Sequence, residues 1–200
     1  RMQNAGQSCI AAKRFLVHEN IVEEFVAKLK VAIQNLKTGN PFDKEMQIGS
    51  LARVDLAEEL EAQVQKSIQM GADLIVGGTR KEAFYEPTIL ANVTTEMPVF
   101  NEETFGPVAS IITFKTLEEA IELSNQSEFG LGVSIFTQDI DFIKTKISAF
   151  NEGAVFINEM VKSDPRLPFG GIKKSGYGRE LAEDGIKEFV NIKTIVINTF

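Results

Sequence analysis

The run Pro107-Val108-Ala109-Ser110-Ile111-Ile112-Thr113-Phe114 is apolar and β-branched along its length, and Leu117 to Asn125, just after it, reads as a helix. The same change of period recurs toward the C-terminus, with a strand over Gly132 to Thr137, a helix over Asp139 to Ala149 and a strand over Ala154 to Asn158. Toward the N-terminus, Arg14-Phe15-Leu16-Val17-His18 is a short strand. Asn20 can cap a helix reaching Leu36, with Val22, Phe25, Val26, Leu29, Ile33 and Leu36 on one face. After the turn Gly39-Asn40-Pro41-Phe42, Val54 to Met70 is helical with Leu56, Leu60, Val64 and Ile68 at four-residue steps, and Leu74-Ile75-Val76 is a short buried strand ended by Gly77-Gly78. This alternation predicts an α/β fold, a layered domain with a mainly parallel sheet flanked by helices. Arg179 to Phe189 reads as a last helix. Ile192 to Thr199 reads as a strand with apolar residues on both faces, which expects cover on each side. With no repeat, low-complexity tract or linker, a single domain with a protruding terminal strand is the expected organisation.

Composition narrows the function. The chain has 200 residues, enough for a sizeable core without disulfides or metals, and 21 Lys and Arg against 28 Asp and Glu give a net charge of −7. No basic stripe stands out, so a nucleic-acid partner is disfavoured. No apolar run approaches the ~18 residues needed to span a bilayer, so no membrane partner is expected. The one cysteine cannot form an internal disulfide, which suits a reducing cytoplasm. The first residue is Arg1 and no signal or transit pattern precedes the first motif, so the chain is expected to begin inside a longer protein.

That cysteine closes Gln3-Asn4-Ala5-Gly6-Gln7-Ser8-Cys9, just before the helix-compatible Ile10-Ala11-Ala12. A thiol in the first turn of a helix meets unpaired N–H groups and the positive end of the dipole, both favouring thiolate, and so can be a nucleophile. Read alone, Cys9 is equally well a buried, inert thiol. Two further segments decide between these: Asn101-Glu102-Glu103-Thr104-Phe105-Gly106-Pro107, and Leu167-Pro168-Phe169-Gly170-Gly171-Ile172-Lys173-Lys174-Ser175-Gly176-Tyr177-Gly178-Arg179-Glu180. With Gly-Gln-Ser-Cys in front, their order and spacing resemble those of the aldehyde dehydrogenase superfamily over essentially the whole chain.

The resemblance implies an aldehyde dehydrogenase catalytic-domain fold over residues 1–190, lacking the N-terminal dinucleotide-binding domain, with 191–200 as the terminal strand of an oligomerisation region and a homo-oligomer as the assembled form. It implies Cys9 as catalytic nucleophile and NAD or NADP as cofactor. Glu103 would hold the nicotinamide ribose hydroxyls, Phe105 would lie beside the nicotinamide ring, Glu102 would be structural, and Phe169 would wall the aldehyde pocket. The family's general base and second oxyanion donor lie upstream of the nucleophile, outside this chain, so the 200 residues alone are expected to fold but not to turn over.

Phe156 to Arg166, joined to Pro168-Phe169-Gly170-Gly171, is similar to the bacterial succinate-semialdehyde dehydrogenase group, as is the stretch Gln3 to Arg14. In that setting Ser163 could hydrogen-bond the distal carboxylate of the substrate, with Arg166 or Lys162 adding charge. Gln3 departs from the arginine that related enzymes of 4-aminobutyrate breakdown carry there, which leaves a broad-specificity aliphatic aldehyde dehydrogenase as the alternative within enzymes. A binding or assembly domain without chemistry is the alternative outside them. His18, the one histidine, is read as structural and no metal site is expected. Gly176-Tyr177-Gly178 lacks the third glycine and the preceding strand of a dinucleotide fingerprint.

Overall fold

The structure is a computed structural model that describes residues 1–199. The chain divides into two compact units, Arg1–Ser127 and a second from Glu128 onward, where the sequence had suggested one domain.

The first unit is built on strands β1 (Arg14–His18), β2 (Asp73–Val76), β5 (Thr88–Ala91) and β6 (Val108–Phe114), in the order β1-β6-β5-β2. β6 is central and parallel to both β1 and β5, pairing Arg14 with Ser110 and Thr88 with Val108; only β2 runs antiparallel, against β5. A two-stranded ribbon of β3 (Arg80–Lys81) and β4 (Phe84–Tyr85) lies between β2 and β5 in sequence.

Successive residues of a strand point to opposite faces, so each face carries its own core. On one face Val17, Ile89 and Ile111 meet helix α1 (Val22–Gln34) through Phe25, Val26, Leu29 and Ile33. On the other, Leu16, Leu90, Val108 and Ile112 meet helix α2 (Val54–Gln69) through Ala57, Leu60 and Val64, with Tyr85, Val99 and Phe100 filling the layer. Val99 and Phe100 belong to the short α3 (Pro98–Asn101), whose start Pro98 suits because its missing N–H costs nothing there. Asn20 does not cap α1: the cap position is Ile21, and the Asn20 N–H instead donates to His18 Nδ1 at 3.2 Å. His18 itself packs edge-on against Phe114, a structural role. Helix α4 (Leu117–Asn125) starts where Thr116 Oγ1 accepts the Glu119 N–H at 3.2 Å.

In the second unit β8 (Val133–Ile135) and β9 (Val155–Ile157) pair in parallel, and β7 (Phe129–Gly130) pairs antiparallel with β10 (Ile172–Lys173). The expected helix Asp139 to Ala149 is shorter: Asp139 caps α5 (Ile140–Lys144), and a separate 3-10 turn covers Ile147–Ala149. The last helix, α6, is Ala182–Lys187. Residues 191–199 form no helix or strand and are exposed, which corrects the predicted strand Ile192 to Thr199. Their alternation supplies extended propensity, but a ladder needs a neighbouring strand and none lies beside them among the described residues; Phe200, the end of the expected 191–200 segment, lies outside those residues. No described helix is long and apolar enough to cross a membrane.

Candidate active site

Cys9 is not at a helix start. Ahead of it, the 3-10 turn Gln3–Gly6 bends through the left-handed region, with φ of 50° at Asn4, 51° at Ala5 and 73° at Gly6. Left-handed non-glycine residues cost about 1–3 kcal/mol each, so such a turn persists only if its surroundings hold it. They do: Asn4 Nδ2 donates to Gln7 O and Gln7 Nε2 to Asn4 O, both at 3.1 Å, and Gln7 Oε1 accepts the Ala52 N–H at 2.8 Å. Cys9 follows in a turn closed by Ala11 N–H donating to Ser8 O at 3.0 Å. The dipole argument therefore falls. Burial of the thiol is not observed either: Cys9 is exposed in this chain, and its N–H meets no partner among the described residues.

The second motif lies against this turn. A Cβ on Gly6 would stand 2.1 Å from Gly106 O, so the Gly-Gln-Ser-Cys and Phe-Gly-Pro backbones touch in a way only glycine permits. Around that contact Arg1 spreads its guanidinium over four carbonyls: Nε donates to Gly106 O at 2.9 Å, Nη1 to Ala11 O at 2.8 Å, and Nη2 to Thr104 O and Gly106 O at 2.5 Å and to Gly6 O at 3.4 Å. Lys13 Nζ donates to Phe100 O at 2.9 Å and Glu102 O at 2.5 Å. Burial pushes both cations down. Lys13 falls to about 8, helped by repulsion from Arg14 and Arg1 and opposed by Glu103 and Glu102; Arg1 is partly restored by Glu103. On the segment so held, Thr104 is buried, while Glu103 is exposed and the Phe105 side chain is 40% exposed. Gln63 Nε2 from α2 donates to Glu102 Oε2 at 2.9 Å and Glu103 O at 3.2 Å, so the Glu102 side chain is tied to the scaffold, as is the Glu103 backbone. Glu59, Ala62, Gln63, Lys66, Pro98 and Glu102 line an open groove of about 380 Å³ beside it. An exposed carboxylate and aromatic on a fixed backbone fit the sugar and ring of a dinucleotide.

Gln3 is exposed at the head of the nucleophile turn. Ser163, Arg166 and Phe169 belong to the second unit. There Asn158 closes β8 and β9 by accepting the Thr137 N–H and donating to Thr137 O, both at 2.8 Å, and Val161 N–H donates to Ser134 Oγ at 3.0 Å. Ser163 is exposed. Both cations suggested for a substrate carboxylate are already partnered: Lys162 with Glu159 at 3.2 Å, and Arg166 with Asp164 through two bonds of 2.9 and 2.7 Å that hold the Asp164 carboxyl well below the usual range. Phe169 is buried and bridged to Glu180 by reciprocal backbone bonds of 2.8 Å. The following turn is fixed by contact with Gly153, where a Cβ would stand 1.9 Å from Gly170 O. Among the described residues no group of three or more His, Cys, Asp and Glu side chains converges to hold a metal ion.

Sequence reading missed Arg1 and Lys13. The one available signal was two cations flanking the cysteine motif with no carboxylate nearby in sequence, and this is weak because lysine and arginine are ordinarily solvated.

Comparison with known proteins gives a consistent result. A model described as the aldehyde dehydrogenase family matches residues 1–195. Over 98% of the chain, succinate semialdehyde dehydrogenase (NAD(P)+) of Escherichia coli (strain K12) is 48% identical and succinate-semialdehyde dehydrogenase (NADP(+)) of Mycobacterium leprae is 44% identical, with 43% and 44% of their own lengths covered. The crystal structure of succinate-semialdehyde dehydrogenase from Burkholderia pseudomallei superposes with a TM-score of 0.92 at 37% identity, over 96% of this chain and 40% of that one. The chain thus spans less than half the length of the curated relatives it matches.

Proposed function

The chain belongs to the aldehyde dehydrogenase family, and from that premise we propose that the protein containing it oxidises an aldehyde to a carboxylate with NAD or NADP, with Cys9 as the nucleophile. The observation that carries this reading is the Gly6–Gly106 contact, which sets an exposed thiol turn beside an exposed Glu103 and Phe105.

A carbonyl carbon of an aldehyde cannot release hydride until it becomes tetrahedral. The Cys9 thiolate adds to that carbon, the C–S bond forms and the π pair moves to oxygen, where the partnerless Cys9 N–H can donate to the new oxyanion. When the alkoxide collapses, hydride leaves and Cys9 carries a thioester, which water hydrolyses to the acid, restoring the thiol. The dinucleotide, when bound, supplies the hydride acceptor. Glu103 can accept hydrogen bonds from its ribose hydroxyls, and Phe105 can flank its ring. By the family resemblance Phe169, whose backbone is held by Glu180, would wall the aldehyde pocket and exclude water. The general base and second oxyanion donor are expected, by family resemblance, N-terminal to Cys9.

The substrate we infer is succinate semialdehyde, supported by the names of the relatives and by exposed Ser163 as a donor to the distal carboxylate. One observation favours a second reading, a broad-specificity aliphatic aldehyde: Arg166 and Lys162 already face carboxylates of their own. Comparing kcat/KM for succinate semialdehyde and butanal in the full-length protein decides between them. A strong preference for the semialdehyde, narrowed by Ser163→Ala, supports the first, and equal efficiencies support the second. We further propose a homo-oligomer, for which exposed Ile192, Ile195, Val196 and Ile197 provide apolar surface, and a reducing, cytoplasmic compartment, in which a free Cys9 thiol persists.

A further inference from the structure

Arg1 and Lys13 have no part in the chemistry above, yet both direct their donors at backbone carbonyls rather than at carboxylates. The carbonyls are not arbitrary. Gly6 and Ala11 bracket Cys9, Thr104 and Gly106 bracket Phe105, and Phe100 and Glu102 lead into Glu103. We propose that Arg1 and Lys13 are positioning residues that together lock the Glu102–Gly106 segment onto the nucleophile turn, and so set the distance between the Cys9 thiol and a dinucleotide held by Glu103 and Phe105.

This inference rests on the aldehyde dehydrogenase reading of Cys9 and Glu103. The physical grounds are local. The nucleophile turn is strained at Asn4 and Ala5, so its shape depends on external bonds, and the guanidinium is a rigid fork whose five N–H groups can serve several carbonyls at once. Charge-assisted bonds are about twice as strong as neutral ones, so two half-buried cations fix the segment more firmly than backbone contact alone. Burial lowers Arg1 only to about 10, so it still holds its charge at the pH near 8 where Lys13 titrates. Lys13, facing Arg14, Arg1, Glu103 and Glu102, has its pKa lowered to about 8, chiefly by burial, so its half of the clamp weakens as the solution turns alkaline.

The test uses the full-length protein and three variants, Arg1→Lys, Lys13→Met and Lys13→Arg. It measures NADPH affinity by fluorescence, iodoacetamide alkylation of Cys9, and amide exchange of Thr104 to Gly106. None of these needs aldehyde turnover. A protein that binds NADPH but does not oxidise aldehydes refutes the proposed function, while the clamp is still decided by these readouts. Arg1→Lys and Lys13→Met should each weaken NADPH binding on the order of 10-fold, change the alkylation rate of Cys9 and speed exchange across Thr104 to Gly106. Lys13→Arg should restore parental affinity. The parent's affinity should fall as pH rises through the Lys13 value of about 8, and Lys13→Arg should show no such fall. Unchanged affinity and exchange in both Arg1→Lys and Lys13→Met would overturn the proposal. So would a Lys13→Arg protein as impaired as Lys13→Met with the parental pH slope, since the effect would then be one of packing.

Discussion

Gly6→Ala should separate the two motifs on which the site depends. The new Cβ would stand 2.1 Å from Gly106 O and 2.5 Å from Gly106 C, both backbone atoms, at a residue whose φ is +73°. An ordinary C···O contact is about 3.3 Å or more, so the two backbones must part by ~1 Å. The left-handed conformation costs an alanine about 1–3 kcal/mol, and forcing a methyl into a packed contact typically costs about 1–3 kcal/mol more. We expect roughly 3 kcal/mol of destabilisation, short of the full sum because the turn can relax. A displacement of ~1 Å between nucleophile and cofactor segment should lower turnover on the order of 10²-fold. Urea denaturation of the full-length protein gives the first quantity and steady-state aldehyde oxidation the second. A destabilisation below about 0.5 kcal/mol with unchanged turnover would refute the argument, because that is the effect of an ordinary surface substitution.

Glu103→Gln should weaken dinucleotide binding and slow hydride transfer while leaving Cys9 alkylation at the parental rate; unaffected single-turnover hydride transfer would reduce Glu103 to a solvated turn residue. For stability against pH, the folded pKa of Lys13, about 8, lies below its ordinary 10.5, so between those values the unfolded chain binds more protons and stability should rise with pH. Below about 8 the buried ammonium costs stability in full, and Lys13→Met should remove this gain, seen as a smaller shift in urea midpoint between pH 8 and pH 10.5.

Most of the layered core was legible because period carries it. The β-branched run at β6 and the four-residue steps of Leu60 and Val64 in α2 report burial, and the structure buries them. What failed depended on distant partners. A helix at Cys9 was reasonable from Ile10-Ala11-Ala12, but Arg1 and Gln7 reach across the fold to hold a left-handed turn that no local propensity encodes. Ile192 to Thr199 has strand propensity without a neighbour to pair with, and Asn20 fails for a local reason, standing one residue ahead of the cap position that Ile21 occupies. For the site, the motifs named Cys9, Glu103 and Phe169 by resemblance. That Arg166 is neutralised by Asp164 two residues away could not be read from sequence, since the same spacing suits two solvated charges equally well.

The central claim is that Cys9 becomes covalently acylated during aldehyde oxidation. Rapid acid quench of the full-length protein with succinate semialdehyde and NADP, followed by mass spectrometry of the peptide containing Cys9, tests it most directly. A succinyl adduct on Cys9, formed at the rate of the first hydride transfer and absent in Cys9→Ala, is the predicted result. Aldehyde oxidation at the parental rate in Cys9→Ala, or an acyl group found on any other residue, would contradict it.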